Sequence, residues 1–158
     1  MLEERDHAPG WRPLCITVAV SYVLLALSML VRGVEIMIGF GTPDEVVRSP
    51  VFADFFYFFY ELMALVGVLI GLLGITTRGR AQQQKVAGLL CAVMLALLWR
   101  DLSTADWALG SRLYRGPGTL VPPLISLVIA IAFAWVAWAR PARSPATGAR
   151  PRDQLLSD

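Results

Sequence analysis

Four long apolar segments constrain this chain more than any other feature of its sequence. Each is long enough to cross the hydrocarbon layer of a bilayer, which takes about 20 residues of α-helix. Because the segments account for most of the 158 residues, we expect no soluble catalytic domain. We predict an all-α membrane protein, an up-and-down bundle of four transmembrane helices. Their predicted bounds are 14–40, 52–75, 86–109 and 120–139.

The charged residues lie mainly outside these segments and indicate their orientation. Nine of the fourteen basic residues lie before the first segment, between the second and third segments, or after the fourth segment, and three lie in the other two loops. Because basic residues concentrate on the cytoplasmic side of a membrane, we expect both termini to be cytoplasmic. Thirteen of the fourteen are Arg, a bias that favours a bacterial inner membrane. A net charge of only +2 excludes an electrostatic nucleic-acid binder.

Two polar tails flank the apolar segments. Residues 1–13 mix charged residues with Pro and Gly and show no apolar period, so we expect a short cytoplasmic tail. Residues 141–158 are rich in Pro, Ala and Arg and are expected to form a disordered cytoplasmic tail. The transmembrane domain is therefore predicted to span residues 14–140.

The second segment combines acidic, aromatic and glycine residues. On a helix, Asp54, Phe58 and Glu61 fall at positions i, i+4 and i+7 and share one face. Glu61 is expected about 14 Å below the start of the helix, close to the middle of a hydrocarbon layer about 30 Å thick. An ionisable group at that depth raises the free energy of membrane insertion by on the order of a few kcal/mol. We therefore expect Glu61 to face protein or water, to have a partner, or to be protonated.

Three glycines form a second face of the same helix. Gly67, Gly71 and Gly74 repeat the spacing of the acidic face, about 100° to 120° away from it. Small residues at this spacing allow two helix backbones to approach closely. We expect a helix-packing surface here, either for another helix of this chain or for another subunit.

An aromatic run covers the first turns of this helix. The residues FFYFFY, from Phe55 to Tyr60, place rings on all of its sides. One interpretation is a pocket for a quinone, a carotenoid or a cationic amine beside a carboxylate. The other is an interfacial aromatic belt whose side chains face lipid. Because rings lie on every side, most of them must contact lipid or a partner protein.

The turn positions predict a polar cluster in the leaflet away from the cytoplasm. The short connection between the second and third segments favours an antiparallel hairpin, and a turn centred between Arg80 and Ala81 would place Glu61 level with Arg100. Five acids and two arginines form the cluster, with a charge of −3 when all are ionised. One hypothesis is a structural ion-pair network; the other is a cation, proton or ligand site in which Arg100 gates Glu61. The members are Arg32, Glu35, Asp54, Glu61, Arg100, Asp101 and Asp106.

The sequence lacks the residues that several kinds of functional site require. The only histidine, His7, lies in the N-terminal tail, which excludes bis-histidine haem ligation and histidine-rich metal sites in the membrane. The two cysteines, Cys15 and Cys91, are too few for a disulfide framework and are expected to be buried apolar residues. The sequence contains no phosphate-binding loop or nucleophile elbow. We expect no metal, no cofactor and no catalytic residues.

Two functions from different classes fit these features. The first is a non-catalytic accessory subunit of a larger bacterial inner-membrane complex, which docks through the glycine and aromatic faces of the second helix. The second is a small oligomeric transporter or channel that binds a cation, a proton or a small cationic solute at the cluster around Glu61. The expected partners are the lipid bilayer together with other membrane subunits or further copies of this chain, and no nucleic acid.

Overall fold

The computed structural model describes residues 7–104 and 120–139, and all regular secondary structure in these ranges is helical. Four of the helices are long and apolar enough to cross a membrane. This confirms the predicted fold class, an all-α protein with four candidate transmembrane helices, while the cytoplasmic location of the termini stays a prediction. The helices are α1 (Trp11–Arg32), α2 (Ile36–Gly39), α3 (Asp44–Val47), α4 (Pro50–Thr76), α5 (Arg80–Thr104) and α6 (Val121–Trp138).

Most of the apolar surface of the four long helices points away from the protein. Within the most apolar 18 residues of each helix, only 17 to 28% are buried. Soluble proteins rarely expose contiguous apolar surface on this scale. The helices therefore require contact with a lipid bilayer.

The first helix begins and ends earlier than its predicted span of residues 14–40. It starts at Trp11, which is buried, and ends at Arg32. Gly33 follows with φ +74°, a left-handed conformation that side chains with a Cβ atom rarely adopt. Its N–H donates a hydrogen bond to the carbonyl of Met29. A glycine in this position ends the helix, although the apolar sequence continues.

The residues after Gly33 form a compact cap, comprising α2 and α3, over one end of α1 and α4. Met37 and Val47 of the cap are buried together with Met29 and Phe56. Residues 33–40, which were predicted to extend the first helix, therefore cover the aromatic start of α4 instead.

The long helices pack as two close pairs, α1 with α4 and α5 with α6. In the first pair, a Cβ atom added to Gly67 would lie 3.1 Å from the carbonyl oxygen of Ala19, and one added to Gly71 would lie 3.1 Å from the Cβ of Ala19. A Cβ atom on Gly74 would overlap the Cβ of Cys15. The glycine face of α4 is therefore covered by α1, and the two backbones approach closely because these positions lack side chains.

Larger side chains join the two pairs into one bundle. Trp11, Met94 and Phe133 are fully buried in a core to which all four long helices contribute. The hydroxyl of Tyr22 lies 3.5 Å from the sulfur of Met94. Because the close pairs are α1/α4 and α5/α6, residues 77–79 connect two helices that belong to different pairs. The hairpin expected from the short loop is therefore not the principal packing unit.

A buried glutamine organises the end of the bundle where α4 connects to α5. The Gln83 side-chain oxygen accepts a hydrogen bond of 2.7 Å from the Ala8 N–H, and its amide nitrogen donates to the Thr77 carbonyl at 2.9 Å. These two backbone partners fix the orientation of the amide, so its remaining N–H points at Nδ1 of His7, 2.7 Å away. Gln83 lies in the connection predicted between the second and third segments, and no local sequence pattern indicates this role.

The same end of the bundle also holds the last turn of α6. The guanidinium of Arg80 and the side-chain amide of Gln84 both donate hydrogen bonds of 2.8 Å to the carbonyl of Ala139. The start of α5 is thus linked to the start of α1 through Gln83 and to the end of α6 through Arg80 and Gln84.

We predict that Gly74→Ala destabilises the bundle, because the new methyl group overlaps Cys15. Overpacking of this kind costs about 1–3 kcal/mol, which should lower the melting temperature in detergent. Gly88→Ala is the matched control in α5, since its Cβ would lie 4.0 Å from the Cβ of Ala137. Equal melting temperatures for the two variants would show that α1 and α4 do not pack through Gly74.

We also predict that Gln83→Leu destabilises the protein, whereas Gln82→Leu does not. The substitution of Gln83 leaves the Ala8 N–H and the Thr77 carbonyl buried without their partner, at a cost of about 1–3 kcal/mol for each group. Gln82 is exposed at the preceding position of the same helix. Thermal unfolding in detergent and protease cleavage near the N-terminus measure the difference, and identical curves for both variants would contradict the role of Gln83.

Candidate functional site

The described residues of the predicted polar cluster come from three of the long helices and from the segment that follows α1. Arg32 ends α1, and Glu35 precedes α2 beyond the glycine that stops α1. Asp54 and Glu61 lie on α4, and all four of these residues are exposed. Within residues 7–104 and 120–139, none of the four forms an ion pair; the ion pair recorded there joins Arg48 to Asp44 in the cap at 2.8 Å. Asp106 lies outside the described residues.

The connection between α4 and α5 lies earlier in the sequence than expected. It is centred on residue 78, not between residues 80 and 81. With this centre, the same register arithmetic pairs Glu61 with Leu95 and Arg100 with Phe56. Because α4 and α5 belong to different close pairs, a common depth for Glu61 and Arg100 stays a prediction.

One face of α4 carries seven exposed residues at alternating spacings of four and three. We call this face the outer stripe. It contains the acidic face predicted from the sequence and continues along the whole helix, turned away from α1. Alternation of four and three is the spacing with which one helix packs lengthwise against another. The outer stripe consists of Asp54, Phe58, Glu61, Leu65, Val68, Leu72 and Ile75.

Glu61 lies at a position of the outer stripe where a charged group is energetically unfavourable. It lies two residues from Met63, the central residue of the 27-residue helix α4. Its side chain is exposed on the surface of the chain, and its neighbours on the stripe, Phe58 and Leu65, are 62% and 56% exposed. A carboxylate near the middle of a lipid-facing helix raises the free energy of membrane insertion by on the order of a few kcal/mol. In the described part of the chain, no basic side chain offsets this cost by an ion pair with Glu61.

The aromatic run divides between the interior and the surface. Phe56 is buried under the cap, with its ring centroid 4.7 Å from that of Tyr60. Phe55, Phe58 and Phe59 are exposed. The cap therefore covers one side of the run, and the remaining rings face lipid or another protein.

Asp101 points into the bundle, in contrast to Glu61. The hydroxyl of Ser126 donates a hydrogen bond of 3.0 Å to its carboxylate, and Ser126 is buried. This bond links α5 to α6, so Asp101 stabilises the second helix pair. The role of Ser126 is not evident from the sequence, since a single serine in an apolar helix carries no distinctive pattern.

The described residues offer no metal site, because no three His, Cys, Asp or Glu side chains lie together among them. Cys15 and Cys91 are free thiols buried in the shared core.

Two shallow grooves lie away from Glu61. One, of about 460 Å³, is apolar and lies between the start of α1 at Leu14 and the Trp135 side of α6. The other, of about 550 Å³, lies beside α3 and the first turns of α4, between Glu45 and Phe55. Neither groove brings several charged groups together.

Comparison with known proteins does not assign a function. No protein family, curated protein sequence or solved structure matches this chain.

We predict opposite effects for two acid-to-leucine substitutions in the chain expressed alone. Glu61→Leu should leave the melting temperature in detergent unchanged or raise it, because it removes an exposed carboxylate that has no ion pair among the described residues. Asp101→Leu should lower the melting temperature, because the buried Ser126 hydroxyl loses its acceptor, at a cost of about 0.5–2 kcal/mol. A strong destabilisation by Glu61→Leu would instead support a structural ion-pair network around Glu61.

Proposed function

We propose that this protein is a non-catalytic accessory subunit of a larger inner-membrane complex and docks through the outer stripe of α4. The observation that carries the proposal is Glu61, an exposed carboxylate two residues from the centre of a membrane-spanning helix. A partner protein that covers the stripe removes this carboxylate from lipid. The apolar residues around Glu61 then become part of a protein interface.

The docking surface differs from the one expected from the sequence. The glycine face of α4 is already covered by α1 and is not free to bind a partner. Phe58 remains exposed beside Glu61. The proposal therefore rests on the aromatic and acidic residues of the outer stripe, without the glycines.

A small transporter or channel is the second candidate. A carboxylate near the middle of a helix is a typical binding group for a proton or cation in a membrane, and Glu61 has that depth. In a single copy, Glu61 points outward, so a pathway for a solute requires several copies arranged around it. This candidate therefore predicts a homo-oligomer whose transport depends on Glu61.

The inner-membrane location and orientation belong to the same proposal. Arg78, in the α4–α5 connection, is expected on the cytoplasmic side, and Asp44, in the cap, on the opposite side. Both are exposed, and the native thiols of Cys15 and Cys91 are buried. We predict that a membrane-impermeant thiol reagent outside intact cells labels Asp44→Cys but not Arg78→Cys. Labelling of Arg78→Cys alone would reverse the proposed orientation.

We predict that Phe58→Ala weakens assembly, whereas Phe59→Ala has little effect. Phe58 lies on the outer stripe and Phe59 lies on another face of the same helix, and both are exposed. Loss of a central aromatic contact at an interface costs about 1–3 kcal/mol of binding free energy, which corresponds to a decrease of about 5- to 150-fold in the association constant. The measurement is the native mass and protein composition of the particle after gentle detergent extraction at endogenous expression.

Three outcomes of that measurement decide between the candidates. Recovery with unrelated subunits, reduced by Phe58→Ala alone, supports the accessory function. Recovery only as copies of this chain contradicts it and favours the transporter. Equal loss of the complex in both variants would contradict docking through the outer stripe.

A further inference from the structure

We propose that the outer stripe binds a transmembrane helix of another protein, and that this helix carries a lysine or arginine at the depth of Glu61. The inference rests on the proposed function and specifies the chemistry of the partner. It follows from three properties of the stripe: its spacing, its charge and the depth of Glu61.

A helix can occupy the stripe, and a single segment that crosses the hydrocarbon layer is helical. Exposed residues recur at alternating intervals of four and three from Asp54 to Ile75. This pattern forms a seam into which the side chains of a second helix fit when the two axes cross at a shallow angle, about 20°. Phe58, Leu65 and Leu72 provide the apolar contacts along one edge of the seam.

The charge of the stripe favours a cationic partner. Asp54 and Glu61 are its only charged members, and both are acidic. They are seven positions apart, which is a distance of about 10 Å along the helix. The stripe therefore attracts a helix with a basic side chain and repels one with an acidic side chain at the same depth.

A second copy of the chain fits the stripe less well. If two copies paired about a two-fold axis through their stripes, Glu61 would lie opposite Glu61 and Asp54 opposite Asp54. Symmetric interfaces bring the same surface of each copy together, so this arrangement juxtaposes like charges in a medium that screens them weakly. A different protein with a basic residue avoids the repulsion and pairs the carboxylate.

The basic residue of the partner is expected near the centre of its own transmembrane helix. Glu61 lies about 3 Å along the helix axis from the midpoint of α4, too deep for the carboxylate to reach the headgroup region easily. A lysine or arginine opposite it forms a pair in which each charge reduces the insertion cost of the other. The pair also fixes the depth at which the two helices dock.

The test uses the full-length chain in phosphatidylcholine vesicles and synthetic poly-leucine transmembrane helices as probes. One peptide carries a single central lysine, a second has leucine at that position, and a third has its lysine near one end. Association is measured by energy transfer between a dye on the protein and a dye on the peptide. We expect the central-lysine peptide to associate at least tenfold more strongly than the other two.

Variants of the protein identify the group responsible. Glu61→Gln should abolish the preference for the central-lysine peptide, while Glu45→Gln, which changes an exposed acid in α3, should leave it intact. Unchanged melting temperatures in both variants establish that the fold is preserved. Equal association of all three peptides with the wild-type chain, or an undiminished preference in Glu61→Gln, would overturn the inference.

A separate experiment distinguishes failure of this inference from failure of the proposed function. Glu61→Gln is introduced at the native locus, and the complex is recovered by gentle extraction. Loss of the unrelated subunits supports the cationic partner. If the complex persists unchanged in Glu61→Gln but is weakened by Phe58→Ala, the accessory function stands and the charge pairing is wrong.

Discussion

The close contact between α1 and α4 determines which surfaces of this protein remain available. Gly67, Gly71 and Gly74 lack side chains, so α1 approaches the backbone of α4. This contact fixes the rotation of α4 about its axis. Because the acidic face lies about 120° from the glycine face, burial of the glycines turns Glu61 outward. The exposure of an acidic group near the middle of α4 therefore follows from the packing of a different face of the same helix.

The two ends of the bundle are stabilised by different interactions. At the cap, Met37 and Val47 pack on the aromatic start of α4, so burial of apolar surface holds α2 and α3 in place. At the opposite end, Gln83 binds backbone groups of two other segments. Such buried polar contacts are directional and set the position of the chain before α1. Neither end brings the acidic residues of α4 to a partner within the described chain.

The sequence predicts the apolar helices and the faces of α4 well, because both depend on local periodicity. The sequence does not predict the end of α1 before Gly33. The apolar character continues through residues 34–40, and the helix ends only because the backbone of this one glycine changes direction. The roles of Gln83 and Ser126 are also missed, because each depends on a residue far away in the chain. The expected proximity of Glu61 and Arg100 depends on an assumed turn position, and a change of two to three residues in that position shifts the register of two antiparallel helices by twice that number.

The central claim is that another protein covers the outer stripe of α4. The most direct test places a photo-crosslinking amino acid at Leu65, beside Glu61 on the stripe, or at Leu124, a similarly exposed position on α6 (56% and 57% exposed). The cells are irradiated with the protein at its endogenous level. Our account predicts a crosslink from position 65 to a different membrane protein and only lipid adducts from position 124. Lipid adducts alone at position 65, or crosslinks only to other copies of this chain, would contradict it.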